Sequence, residues 1–162
     1  MNLIAAVDKN WAIGKGNSLL VNIPEDRQFF REETTGKVLI MGRKTLESLP
    51  EGSPLKFRTN IVLTRDMNYK VKDAIVCHSV EEALAEVSKH DTKDVFVIGG
   101  ESIYEQFISL CDTAHITKVD YAYDADKKFP NLDKSDEWIS AESSDEKTYF
   151  NIVYEFVKYV RK

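Results

Sequence analysis

Short, largely apolar runs limit the possible folds of this chain more than any other feature. They occupy residues 3–7, 38–41, 60–63, 74–76 and 95–98, and a polar residue or a glycine follows each within two positions. Runs of this length without polar alternation are typical of strands that are buried on both faces. The chain therefore reads as a parallel sheet that is covered on each side by helices.

Helical patterns separate these runs. Pro24 favours the start of one helix, and Ser79 with Glu82 three residues later forms a capping box at the start of another. Two more helices are expected after residues 42–45 and 99–100, and beyond residue 113 the apolar residues alternate. We predict one α/β domain over residues 1–162, with a mostly parallel central sheet, an antiparallel edge hairpin near the C-terminus and about four flanking helices.

Composition and charge limit the classes of partner and the cellular location that we expect. The chain has 162 residues, of which 43% are hydrophobic and 30% charged, and its net charge of -5 argues against a nucleic-acid partner. No apolar run approaches the ~20 residues of a membrane span, and the run at residues 1–7 is too short for a signal peptide. Cys77 and Cys111 form no CxxC pair, which favours reduced core cysteines. We expect a cytoplasmic protein, and nothing in the sequence demands more than a monomer.

Asp26 is the acid with the most distinctive setting. It lies in the first turn of the predicted helix after Pro24, among apolar residues that are expected to be buried. A carboxylate there is favoured by the free N–H groups of the helix start, and it can bind a ligand that offers two adjacent N–H donors. The alternative is that Glu25 and Asp26 are ordinary first-turn acids. The preceding segment, residues 8–23, is longer than a usual connection and indicates a functional loop.

Three strand ends share a pattern that suits phosphate groups. They are Gly42-Arg43-Lys44-Thr45, Thr64-Arg65 and Gly99-Gly100-Glu101-Ser102. In an open α/β sheet, ligands bind outside the carboxyl ends of the strands, where glycines let a phosphate approach backbone N–H groups. The chain has no G-x-G-x-x-G and no Walker sequence, so the usual dinucleotide and P-loop fingerprints are absent. Glu101 would repel a pyrophosphate unless its side chain points away.

These residues together resemble the dihydrofolate reductase family almost from end to end. In chain order the matching motifs are Leu3-Ile4-Ala5-Ala6, Ile13-Gly14, Asn17, Ile23-Pro24-x-Asp26, Phe30, Met41-Gly42-Arg43-Lys44-Thr45, Arg58-x-Asn60-Ile61-Val62-Leu63, Ile98-Gly99-Gly100 with Tyr104, Ile116-Thr117 and Phe129-Pro130. Each motif alone is unspecific, whereas the ordered set at compatible spacing is specific.

The resemblance implies NADPH-dependent reduction of 7,8-dihydrofolate to tetrahydrofolate, with antifolate inhibitors as further ligands. It implies that Asp26 acts in catalysis and binds the pterin with Thr117 nearby, while Arg58 pairs with the glutamate carboxylate. The other substrate-binding residues it implies are Ile4, Ala5, Phe30, Leu49, Leu55 and Ile98. The cofactor-binding residues it implies are Ala6, Ile13, Gly14, Asn17, Leu19, Leu20, Gly42, Arg43, Lys44, Thr45, Leu63, Thr64, Arg65, Gly99, Gly100, Glu101, Ser102, Ile103 and Tyr104.

Within these sets the resemblance gives particular roles. It implies that Arg43, Thr64 and Arg65 hold the 2′-phosphate, which distinguishes NADPH from NADH. It also implies that the Gly99–Gly100 peptide bond is cis and that residues 8–23 form a lid. The chain departs from the family at Leu20-Val21, where Pro-Trp is usual, which predicts altered inhibitor affinity or lid dynamics.

Two other functions are weighed against this one. A reductase of similar fold that acts on a ribosylated pyrimidine would need the cofactor residues but neither Asp26 nor Arg58. A non-catalytic nucleotide-binding or antifolate-sequestering protein would bind these ligands without oxidising the cofactor. His78, His90 and His115 are scattered without a second ligand at metal spacing, so we assign no metal site.

Overall fold

One nine-stranded sheet dominates the computed structural model, which describes residues 1–16 and 18–162. The strands are β1 (Asn2–Val7), β2 (Ala12–Lys15), β3 (Ser18–Leu19), β4 (Val38–Gly42), β5 (Thr59–Leu63), β6 (Ile75–Cys77), β7 (Val95–Gly99), β8 (Thr113–Val119), β9 (Lys127–Lys128), β10 (Trp138–Ser143), β11 (Lys147–Tyr149) and β12 (Ile152–Arg161). The helices are α1 (Pro24–Thr34), α2 (Arg43–Ser48), α3 (Val80–Val87) and α4 (Glu101–Phe107). Short 3-10 turns lie at Pro50–Gly52, Thr92–Asp94, Ile108–Leu110 and Leu132–Lys134.

The order of strands across the sheet is β10-β12-β8-β1-β7-β4-β5-β6, and β11 pairs with β12 outside this path. All pairings from β8 through β1, β7, β4 and β5 to β6 are parallel, whereas β12 is antiparallel to β8, β10 and β11. The carboxyl ends of six strands therefore lie along one edge. The predicted sheet, with its antiparallel C-terminal edge and four helices, is confirmed.

Both faces of the central strands are buried, as their apolar runs predicted. In β4, Leu39 and Ile40 are each 0% exposed and belong to different apolar clusters, because successive side chains in a strand point to opposite faces. The cluster of Ile40 includes residues of α3 and α4, and the cluster of Leu39 includes residues of α1 and α2. Among the described residues, no helix is long and apolar enough to cross a membrane.

The segment of residues 8–23 is more ordered than predicted. Within it, β2 and β3 pair as a hairpin, here called the lid hairpin, and β9 joins them in a three-stranded sheet. The buried carboxylate of Asp8 organises the entry to this hairpin by accepting hydrogen bonds from the backbone N–H groups of Asn10, Ala12 and Tyr123 at 2.8, 2.9 and 2.9 Å. The predicted cofactor residue Asn17 lies outside the described residues.

Candidate functional site

A cavity of about 1600 Å³ runs along the sheet edge at which the parallel strands end. Sites for one small ligand usually measure roughly 300–1000 Å³, so this volume suits two ligands side by side. Most of the residues singled out in the sequence line it: Ile4, Ala5, Ala6, Ile13, Gly14, Leu19, Asp26, Phe30, Gly42, Arg43, Lys44, Thr45, Leu49, Leu55, Arg58, Leu63, Thr64, Arg65, Ile98, Gly100, Glu101, Ser102, Ile103 and Tyr104.

Three of the singled-out residues that the structure describes do not line the cavity. Thr117 lies behind the lining residue Asp26, to which it donates a hydrogen bond. Gly99 is the last residue of β7, directly before the lining residue Gly100. Leu20 packs against the apolar cluster formed by Val21, Ile23, Val119 and Tyr154 instead.

Asp26 is held at the wall of the cavity by the start of α1 and by β8. Pro24 opens the helix, so Asp26 lies in its first turn, and Thr117 Oγ1 donates a hydrogen bond to Asp26 Oδ1 at 2.6 Å. The carboxyl group is half-buried and forms no ion pair within the described part of the chain. Burial raises the pKa of Asp26 above its ordinary value, while the Thr117 hydroxyl and the charge of Arg27 act in the opposite direction.

Glu25, the other acid of this helical turn, has a different surrounding. Tyr154 donates a hydrogen bond from its hydroxyl to Glu25 Oε2 at 2.5 Å, and Lys147 Nζ lies 3.3 Å from Glu25 Oε1. The Tyr154 hydrogen bond, aided by Lys147, lowers the pKa of Glu25. Glu25 thus ties α1 to β11 and β12, whereas Asp26 lines the cavity and accepts from Thr117, so the two acids are not equivalent first-turn residues.

Apolar side chains and one arginine form the cavity wall beyond Asp26. Asn60, which is 3% exposed, fixes the segment before β5: its Nδ2 donates to the carbonyl oxygens of Leu55 and Arg58 at 2.9 and 3.2 Å. Arg58 Nε donates to Thr34 Oγ1 at 3.1 Å, and its guanidinium lies 6.0 Å from the centre of the Phe30 ring. Burial and the charge of Arg31 lower the pKa of Arg58, which stays a cation.

The ends of β4 and β7 form a tight glycine-lined cleft. A Cβ added to Gly42 would lie 3.1 Å from Ile103 Cγ1, and one added to Gly99, whose φ is +117°, would lie 3.1 Å from the Tyr104 ring. The Gly99–Gly100 peptide bond is cis, as the resemblance implied. Tyr104 is fixed from below, since its hydroxyl donates to the carbonyl oxygen of Ile4 at 2.7 Å. Glycine at positions 42 and 99 therefore lets both strand ends pack closely on α4, which leaves a narrow cleft bordered by backbone that suits the pyrophosphate of a dinucleotide.

Cationic and hydroxyl groups surround the far end of the cavity, where β4 and β5 end. Arg43, Lys44, Thr64 and Arg65 all line it, although Arg43 also forms an ion pair with Glu47 at 2.5 Å. Thr64 Oγ1 accepts a hydrogen bond from the backbone N–H of Asp66 at 3.1 Å, which leaves the Thr64 hydroxyl hydrogen able to donate. These groups suit a second phosphate, so the residues present fit NADPH.

The carboxylate of Glu101, which would repel a pyrophosphate if it stood free, has a hydrogen-bond partner. Its Oε2 accepts a hydrogen bond from the backbone N–H of Lys128 in β9 at 2.7 Å. This hydrogen bond ties the carboxylate to the sheet of the lid hairpin, so the carboxylate is not unpaired beside the glycine-lined cleft.

Several lining residues were missed by reasoning from sequence. They include Phe29, Arg31, His78, Ser79, Gln106 and Lys127. His78 and Ser79 follow the end of β6, so the rule applied to three other strand ends would have found them. Lys127 lies in β9, whose pairing with the lid hairpin had no local sequence signal.

Val21 occupies the position at which the resemblance leads us to expect a Trp. It lines the cavity and is 8% exposed in the cluster with Ile23, Val119 and Tyr154. Trp11 belongs to a different cluster, where its ring stacks on Phe129 at 6.0 Å between centroids. Trp11 therefore does not fill the space that a larger residue at position 21 would take.

Comparisons by sequence match this chain to one family of known proteins. The sequence model of the family described as dihydrofolate reductase matches residues 1–161. A dihydrofolate reductase of Neisseria gonorrhoeae is 39% identical, covering 100% of this chain and 98% of its own length, and one of Bacillus subtilis is 36% identical, with 100% and 95% covered.

The solved structure of dihydrofolate reductase from Enterococcus faecalis, complexed with NADP(H) and RAB-propyl, superposes with a TM-score of 0.88. Its sequence is 32% identical, and the match covers 99% of this chain and 95% of that one. A family match over almost the whole chain and relatives that align over nearly their full length at this identity lead to one conclusion: the chain belongs to the dihydrofolate reductase family.

Proposed function

We propose that Asp26 is the anion that promotes NADPH-dependent reduction of 7,8-dihydrofolate to 5,6,7,8-tetrahydrofolate, the family's reaction, which feeds one-carbon metabolism. One observation carries this proposal: a half-buried carboxylate without an ion pair in the described chain shares a cavity with the glycine cleft and the cationic strand ends. Acid and cofactor groups are then close enough to act on one substrate.

Asp26 also has the donor–acceptor character that a pterin requires. Thr117 occupies one acceptor position of Asp26 Oδ1, and a carboxylate offers about four such positions. Both oxygens can therefore still accept hydrogen bonds from a ring N–H and the neighbouring amino group. Ile4, Ala5, Phe30, Leu49, Leu55 and Ile98 would enclose the rings, and Arg58 would bind the glutamate carboxylate. Antifolates that present the same pair of donors would bind there too.

The proposed cofactor-binding residues fall into two groups, one for the phosphates and one for the nicotinamide. When bound, NADPH supplies the hydride that reduces C6 of the substrate. Residues 42–45 and 99–102, with Ile103 and Tyr104 supporting them, would hold the pyrophosphate, and Arg43, Thr64 and Arg65 the 2′-phosphate. Ala6, Ile13 and Gly14, with Leu19, Leu20 and Leu63, would surround the nicotinamide; Asn17 is proposed on the resemblance alone.

The chain itself contributes electrostatics and exclusion of water. The Asp26 anion favours protonation of N5 without touching it, because a nearby negative charge stabilises the protonated ring, and the proton comes from water. The Thr117 hydrogen bond lowers the pKa of Asp26 and so opposes the effect of burial, which raises it. The lid hairpin closes the nicotinamide end of the cavity, and a drier site strengthens each of these charge interactions.

A cofactor-oxidation assay tests the function. Mixing the protein with NADPH and dihydrofolate is expected to lower the absorbance of the cofactor, and no oxidation would refute the proposal. Glu25→Gln is the matched control for Asp26→Asn, since both remove one charge from the same helical turn and Glu25 faces Tyr154 and Lys147. We expect Glu25→Gln to retain most activity and Asp26→Asn to lose most of it at neutral pH.

We also propose that the enzyme works as a monomer in the cytoplasm. Both cysteines are free and buried, as suits a reducing compartment, and burial raises the pKa of Cys111 to about 12. Light scattering during gel filtration is expected to give the mass of one 18.5 kDa chain, and a dimer mass would contradict this.

A further inference from the structure

His78 stands at the cationic end of the cavity with no role so far. It follows β6 directly and lines the cavity together with Thr64 and Arg65. The residue is half-buried, and its backbone is tied to α3. Its backbone N–H donates to Glu82 Oε2 at 2.7 Å, and its neighbour Ser79 caps α3 by accepting from the N–H of Glu82.

One ring nitrogen of His78 has a defined proton. His78 Nδ1 lies 2.9 Å from the carbonyl oxygen of Thr64, and a carbonyl oxygen can only accept, so Nδ1 carries the hydrogen in both the neutral and the charged ring. Within the described residues, Nε2 has no hydrogen-bond partner. Neutral His78 therefore presents a lone pair at Nε2, and only the imidazolium can donate from there.

We propose that His78 binds the 2′-phosphate of NADPH as an imidazolium and thereby couples binding of this cofactor to uptake of a proton. This rests on the proposed function, which places that phosphate beside Thr64 and Arg65. The proton comes from solvent and adds to Nε2, while the Nδ1–H bond to Thr64 is kept. Apart from this new N–H bond, no covalent bond forms or breaks in the protein or the cofactor. His78 thus becomes a specificity-determining residue, because NADH has no phosphate to pair with it.

Charged groups on each neighbouring element bear on this equilibrium. Arg65 after β5 and Arg43 and Lys44 of α2 line the same cavity and disfavour a further cation. Asp66, which also lines it, and Glu82 of α3 favour one. The phosphate dianion adds the strongest attraction, so a bound cofactor favours the imidazolium form of His78.

Calorimetric titration in buffers of different ionisation enthalpy measures this proton directly. We expect NADPH binding at pH 7.5 to take up a fraction of one proton, and NADH binding to take up none. His78→Gln cannot be protonated, so the uptake should vanish. The affinity of the His78→Gln variant for NADPH should be roughly three- to tenfold lower than that of the unmodified protein at pH 6.5. The difference should be much smaller at pH 8.5, and the affinity for NADH should be unchanged.

Two controls define the contradicting outcomes. The phosphate itself titrates and releases protons, and His78→Gln measures that contribution alone. His90→Gln removes an exposed histidine that does not line the cavity and should behave as the unmodified protein. Equal proton uptake in His78→Gln and the unmodified protein overturns the proposal while leaving NADPH turnover intact. Failure to bind NADPH at all overturns the proposed function as well.

Discussion

Removing the Thr117 hydroxyl should raise the pKa of Asp26. Thr117 is 2% exposed, and its hydroxyl donates to Asp26 Oδ1 at 2.6 Å. Thr117→Val keeps the side-chain shape and deletes only this donor. Burial already raises the pKa of Asp26, and the Thr117 bond is the larger of the two effects that oppose it.

The expected size follows from the difference between two hydrogen bonds. A bond to a charged acceptor contributes about 1.5–3 kcal/mol, and one between neutral groups about 0.5–1.5 kcal/mol. The carboxylate thus loses about 1–1.5 kcal/mol more than the carboxylic acid does. Since one pKa unit corresponds to about 1.4 kcal/mol, Thr117→Val should raise the pKa of Asp26 by about one unit.

Carbon-13 NMR of protein labelled at aspartate carboxyl carbons measures this pKa, with Asp26→Asn identifying the resonance. Thr117→Ser, which keeps the hydroxyl, is the matched control and should leave the pKa nearly unchanged. An Asp26 pKa in Thr117→Val that stays equal to that of the unmodified protein, or falls, would refute the reasoning.

The free energy of unfolding gives an independent check with a definite sign. A raised carboxyl pKa means that the folded state binds more protons than the unfolded state, so stability is lost as pH rises from the ordinary value of 3.8 through the folded value. Thr117→Val enlarges this window. It should therefore destabilise the protein more at pH 7 than at pH 4, by about 1.4 kcal/mol for each unit of pKa shift.

Three further predictions concern the rest of the cavity. Val21→Trp should change antifolate affinity or turnover, because Val21 lines the cavity in a buried cluster; unchanged inhibitor binding and unchanged turnover would show that this position is irrelevant. Replacing Arg43 and Arg65 by leucine should reduce the preference for NADPH over NADH in kcat/KM at least tenfold, and a preference that persists would refute the phosphate assignment. Asp126→Ala should raise the KM for NADPH, because it deletes the carboxylate that accepts a hydrogen bond from the N–H of Gly16 at 3.1 Å and so ties the lid hairpin to the start of β9. Asp124→Ala, which loses only an exposed ion pair with Lys15, is the control and should change little.

The sheet was predictable because burial on both faces leaves a local trace. Every strand of its parallel part coincides with an apolar run or with the alternating segment after residue 113. The lid hairpin has no apolar run or alternating segment of this kind. Its strands are short and contain glycine and lysine, and they are completed by β9, more than a hundred residues away in sequence. Nonlocal pairing of this kind is invisible to a reading of periodicity.

The residues of the site could be predicted from the sequence, but many of the contacts between them could not. The position of Asp26 follows from Pro24 and the helix start, whereas the distinction from Glu25 depends on Tyr154 and Lys147, which lie far along the chain. His78 was passed over because isolated histidines were weighed only as metal ligands. Its place beside Thr64 appears only when β5 and β6 pair.

The pH dependence of Asp26→Asn tests the central claim most directly. In steady-state assays with NADPH and dihydrofolate from pH 5 to 8, we compare kcat/KM of the unmodified protein with that of the variant. If the Asp26 anion promotes protonation of N5, the ratio should be largest near neutral pH and shrink as the pH falls, because dihydrofolate is then protonated without help. A loss of activity confined to low pH would contradict the account.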